Sequence, residues 1–189
     1  MSENPSVTPA EDYDVVLLVE QALSAQDAAQ VHSLHEGLEG PVTYHVLLPL
    51  EDAAARIESA MGSLTAGDML AAPTMPMGEV DLDAVRKDCE ERSSAELEST
   101  LQALRASGAT AHGEIVTAPP IDALAAKVAA VDGREAIILT RPHVVAEFFH
   151  LDWTSKARRR LGVPILHLLE HETFDEQAEG FGDEGVTGL

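Results

Sequence analysis

Basic side chains are scarce: 12 Lys and Arg stand against 33 Asp and Glu, a formal net charge of -21 over 189 residues. A chain this poor in cations has little with which to displace counterions from a phosphate backbone, which excludes nucleic-acid binding as its task. Docking on an anionic membrane surface is excluded for the same reason. Cys89 is the single cysteine, so no intrachain disulfide can form and nothing calls for an oxidising compartment. Aromatic residues make up only 4%, which leaves Leu, Val, Ile and Ala to fill the core. No apolar run approaches the roughly 20 residues needed to span a bilayer. The stretch from Met1 to Asp14 is acidic and polar, without the apolar core of a signal peptide. The expectation is a cytoplasmic protein.

What is present is the balance of a globular chain, 45% hydrophobic and 24% charged. Its length suits one well-filled core and is too short for two ordinary domains. Residues 1–12, with Pro5 and Pro9, read as a disordered leader. Asp14 to Val19 is a short continuous apolar run, as in a strand covered on both faces. Ser24 with Asp27 three residues on marks a helix start, and Ala28, Val31, Leu34 and Leu38 supply its apolar face up to Gly37 and Gly40. A second strand is expected at Thr43 to Leu48 and a short helix at Glu51 to Ala60. Residues 61–80 form a long loop rich in Met and Pro.

A long helix is expected from Asp81 to Gly108, with Leu82, Val85, Cys89, Leu97, Leu101 and Leu104 on one stripe. That places Cys89 on the buried face as a small hydrophobe. Thr110 to Val116 reads as a less apolar strand suited to a sheet edge. Pro119-Pro120 opens the next helix and Asp132-Gly133 stops it. Glu135 to Thr140 is a buried strand, and Val163 to Leu169 the last one, after a helix that ends at Gly162. Residues 171–189 continue an acidic stretch, from Glu170 onward, that contains no Lys or Arg and is expected to be disordered and solvated. Strands alternating with helices require parallel pairing and right-handed crossovers, hence a Rossmann-like α/β fold with helices on both faces of one open sheet. Residues 13–170 form this domain.

The order of elements resembles the universal stress protein family. The resemblance rests on the opening strand Val15 to Val19, the long helix before the third strand, Gly108 and the strand after it, and Pro120-Ile121-Asp122-Ala123-Leu124. Ala136-Ile137-Ile138-Leu139 and the closing Leu161-Gly162-Val163-Pro164-Ile165-Leu166 complete it. It implies five parallel strands ordered 3-2-1-4-5, with the switch point between strands one and four. It also implies a homodimer, joined along the last strand through Val163, Ile165 and His167, and a role in the stress response. ATP is the cofactor of the nucleotide-binding branch, which carries a Gly-x-x-Gly loop after strand four to bring backbone N–H groups to the phosphates. Here strand four runs on as Thr140-Arg141-Pro142-His143 with no glycine before Gly162. ATP is therefore disfavoured, and the nucleotide site is expected to be degenerate.

Open parallel sheets bind ligands outside the carboxyl ends of their strands at the switch point. That places Glu20, Gln21, Thr140, Arg141 and His143 in the crevice. Arg141 is suited to a carboxylate or phosphate, with His143 beside it; pairing of Arg141 with a neighbouring acid is the plainer alternative. His32 and His35, and likewise His167 and His171, have spacings that could contribute to a metal site, but neither pair has a third ligand, so no metal is expected. Lys156, Arg158, Arg159 and Arg160 gather near a helix C-terminus, where cations complement the dipole. No Walker A, Gly-x-Gly-x-x-Gly, CxxC or nucleophile-elbow pattern occurs. The reading is a non-catalytic regulatory binding module, with the acidic tail available to a protein partner. The alternatives are a small enzyme or carrier for another anionic ligand in the same crevice, or an ATP-binding universal stress protein.

Overall fold

Five short segments pair side by side in the computed structural model, which describes residues 12–51, 81–140 and 159–170. In chain order the elements are β1 (Tyr13–Val19), α1 (Ala25–Ser33), β2 (Val42–Pro49), α2 (Leu82–Ala106), β3 (Thr110–Val116), α3 (Pro120–Val131), β4 (Glu135–Thr140) and β5 (Ile165–Leu169). All pairings are parallel and the order is β3-β2-β1-β4-β5. The expected sheet is therefore observed, with the switch point between β1 and β4. The loop at 61–80, the leader up to residue 11 and the tail at 171–189 lie outside the described residues, as does the helix expected at Glu51 to Ala60, apart from Glu51.

Side chains alternate across the sheet and build two cores. Val15, Leu17, Val19, Tyr44, Val46, Leu48, Ile137 and Leu139 pack with α1 and α2 on one face. Val16, Leu18, Leu47, Ala136 and Ile138 pack with Leu124 and Val128 of α3 on the other. Central strands buried on both faces explain the continuous apolar runs of β1 and β4. β3, with exposed Thr110, His112 and Glu114, sits at an edge as its composition predicts.

Local chemistry sets the helix ends. Ser24 accepts the Asp27 amide while the Asp27 carboxylate accepts the Ser24 amide, a reciprocal cap that starts α1. α1 stops at Ser33, one turn earlier than its apolar pattern suggests, and Leu34 and Leu38 are exposed. The reason is His35, which turns into the protein: its Nε2 donates to Glu135 Oε1 at 2.7 Å, and its Nδ1 lies 2.8 Å from the Tyr44 hydroxyl. That hydroxyl, with its pKa pushed up by burial and then by the Glu135 charge, stays protonated and keeps its donor.

The stripe of α2 also differs from expectation. Cys89 is buried as predicted, but Leu82 is exposed, while Ser93 and Thr100 are buried. Both hydroxyls are bonded: Thr100 Oγ1 accepts the Leu23 amide at 3.1 Å and donates to the Glu96 carbonyl, and Ser93 Oγ accepts the Glu51 amide at 3.4 Å. Through them α2 holds the chain just after β1 and just after β2, next to the rim where ligands enter this fold.

Candidate functional site at the carboxyl ends of the strands

The rim begins where β1 runs out. Glu20 and Gln21 lie in the bend after Val19, half-buried, and the Thr100 hydroxyl fixes the chain two residues further on at Leu23. Beside β1, β4 ends at Thr140, whose carbonyl accepts the Glu170 amide at 3.0 Å and so extends the β4–β5 ladder one residue past β5. From there the Glu170 side chain takes a hydrogen bond of 2.5 Å from Gln21 Nε2. Because β4 lies between β1 and β5, this bond crosses the end of β4 at the switch point.

Glu170 was expected at the head of a solvated tail. It is instead 1% exposed. Its acidic neighbours in sequence concealed that it follows the last apolar residue of β5 at the height of the rim. Alongside, Thr140 Oγ1 lies 2.8 Å from His167 Nε2. Burial lowers the His167 pKa, so the imidazole is held neutral and can share a proton with the threonine hydroxyl in either direction. His167, expected at a subunit edge, thus also belongs to the rim.

Of the crevice residues read from the sequence, Glu20 and Gln21 follow β1 and Thr140 ends the adjacent β4, while Arg141 and His143 lie outside the described residues. The described rim offers carboxylates, an amide, a hydroxyl and a neutral imidazole. Among the expected edge residues, Val163 and Ile165 pack against the core on the α3 face, and the exposed apolar side chain of β5 is Leu166. Among the described residues no three His, Cys, Asp or Glu side chains converge as metal ligands, and no helix is long and apolar enough to cross a membrane.

Compared by sequence, the chain matches no protein-family model and no curated protein. Compared by structure it has clear neighbours. Hypothetical protein MJ0577, whose biochemical function was assigned from its structure, superposes with a TM-score of 0.52 at 12% identity, over 85% of this chain and 99% of that one. A universal stress protein from Archaeoglobus fulgidus gives a TM-score of 0.49 at 11% identity, over 82% and 92% of the two chains. One from Arabidopsis thaliana, with AMP bound, gives 0.48 at 12% identity over 84% and 92%. The fold is the open parallel α/β sheet shared with MJ0577. At these identities the likeness speaks for the fold alone, and the function of the chain has to be argued from its own rim.

Proposed function

We propose that the chain is a non-catalytic regulatory binding module of the universal stress protein kind, acting in the cytoplasm as a homodimer, with a degenerate nucleotide site. The observation that carries this reading is the Gln21–Glu170 hydrogen bond across the end of β4. A phosphate cradle in such a crevice needs free backbone N–H groups and room for them to approach. Here a carboxylate stands at the rim, where it repels a phosphate, and no glycine occurs from Thr140 to Leu161. Signalling would then run through protein contacts, the acidic tail among them.

Calorimetric titration of the full chain with ATP and ADP, with and without Mg²⁺, tests the reading. Absence of heat at millimolar nucleotide, confirmed by equilibrium dialysis, supports it. Tight binding overturns it and makes the chain an ATP-binding universal stress protein. A second reading, a carrier or small enzyme for a different anionic ligand, gains support from the Thr140–His167 pair, a neutral proton acceptor at the rim. Under that reading Arg141→Ala abolishes ligand binding and leaves stability nearly unchanged.

A further inference from the structure

Away from the rim, three polar side chains line up across three neighbouring strands near their amino ends. His45 on β2 and His112 on β3 are register partners. His45 is also level with Val16 of β1, so both histidines project on the face covered by α3. Their ring centroids are 6.3 Å apart with 35° between the planes. On the other side of His45, its Nε2 donates to Asp14 Oδ1 at 2.7 Å.

A carboxylate on Nε2–H fixes the tautomer of a neutral imidazole and leaves Nδ1 with its lone pair. With Nε2 bound to Asp14 of β1, Nδ1 is the ring nitrogen left for a ligand, and His112 stands on the neighbouring strand β3. An Asp14–His45 ion pair alone would explain the first contact and leave the second histidine without a role. Two protonated imidazoles opposite each other would repel. Carboxylate-held histidines are the usual outer arrangement of imidazole metal ligands.

We propose that His45 and His112 chelate one divalent first-row transition ion of the imidazole-preferring class, such as Cu²⁺ or Zn²⁺, with water completing the coordination and Asp14 as a positioning residue. With metal–nitrogen bonds of about 2.0–2.1 Å, two imidazoles sharing an ion have centroids roughly 5–6 Å apart. His112 is exposed, and rotation of its side chain closes the remaining gap without moving the sheet. Two ligands give a weaker site than a three- or four-ligand one, with Cu²⁺ held more tightly than Zn²⁺.

The test is calorimetric titration of the full chain, free of any histidine tag, with Cu²⁺, Zn²⁺ and Mg²⁺, together with imidazole NMR signals under Zn²⁺. One equivalent of Cu²⁺ and of Zn²⁺ should bind, Mg²⁺ should give no heat, and the His45 and His112 signals should shift first. His112→Gln, at an exposed position that leaves folding intact, should weaken binding at least tenfold, as should His45→Gln, while His32→Gln changes nothing. Asp14→Ala should weaken it about tenfold. Failure of Cu²⁺ to bind the native chain overturns the proposal, and so does equal affinity in His112→Gln.

Discussion

Gln21 and Glu170, 149 positions apart in the chain, meet side chain to side chain across the end of β4. The bond ties the exit of a central strand to the exit of an edge strand, which ordinary strand pairing does not do when a third strand lies between. Removing the donor leaves a buried carboxylate short of a partner, a change that costs about 1–3 kcal/mol. Gln21→Ala should therefore lower stability by that amount in urea denaturation. An unchanged midpoint would show that the bond does not hold the rim together.

His167 makes the rim sensitive to acid. Burial lowers its folded pKa below the ordinary 6.5. As pH falls below 6.5 the unfolded chain takes up a proton that the folded chain resists, so stability present above that pH is lost as pH falls through the lowered folded value. His167→Gln keeps a hydrogen-bonding group for Thr140 and removes the titration. The variant should lose less stability than the native chain between pH 7.5 and pH 5.0, measured by urea midpoints. Equal losses would assign the acid sensitivity elsewhere.

Gly113 of β3 lies directly beneath α2. An added Cβ would stand 2.7 Å from Leu97 Cδ1 and 3.3 Å from both Leu101 Cδ2 and Val46 Cβ. Such overpacking costs about 1–3 kcal/mol. Gly113→Ala should lower the thermal midpoint, and a variant as stable as the native chain would mean that α2 can lift away from β3.

Asp132 ends α3 in the left-handed region at φ 52°, and the next residue, Gly133, donates its amide to the Val128 carbonyl. A side chain there is strained, and glycine relieves the strain at the cost of extra freedom in the unfolded chain. Asp132→Gly should raise stability by about 0.5–1 kcal/mol. A destabilised variant would show that the carboxylate makes a contact worth more than the strain.

Much of this architecture is written in local patterns. The apolar runs of β1 and β4, the Ser24–Asp27 cap, the Pro120 start and the Asp132-Gly133 stop each act within a few residues, so each could be read before any fold was known. The order of the strands came from the resemblance. The rim was legible only in part, because its decisive contacts are long-range. Thr100 meets Leu23 across 77 positions, and nothing in the helical stripe of α2 marks a buried threonine as wanted. Glu170 looked like one more acid of a solvated tail, since charge patterns report average exposure and cannot identify the one carboxylate that the ladder draws in. His35 ended α1 early for the same reason: its partners Tyr44 and Glu135 come from other strands.

The edge of β5 offers the sharpest test of assembly. An unpaired edge strand invites a second copy, and among the described residues β5 has no neighbour beyond β4 in the sheet. Ile165 is a poor probe of such contacts because it packs against the core on the α3 face. A lysine at Ile165 would unfold the subunit as readily as it would separate a dimer. Leu166 points to the opposite face and is 37% exposed, an apolar side chain that a partner strand would cover. Leu166→Lys should therefore keep its thermal midpoint within a few degrees of the native value and sediment at half the native mass. If Leu166→Lys keeps the native mass, dimer or monomer, β5 is not the dimer edge. If both lysine variants lose the fold, Leu166 is needed within the subunit, and its exposure does not mark an interface.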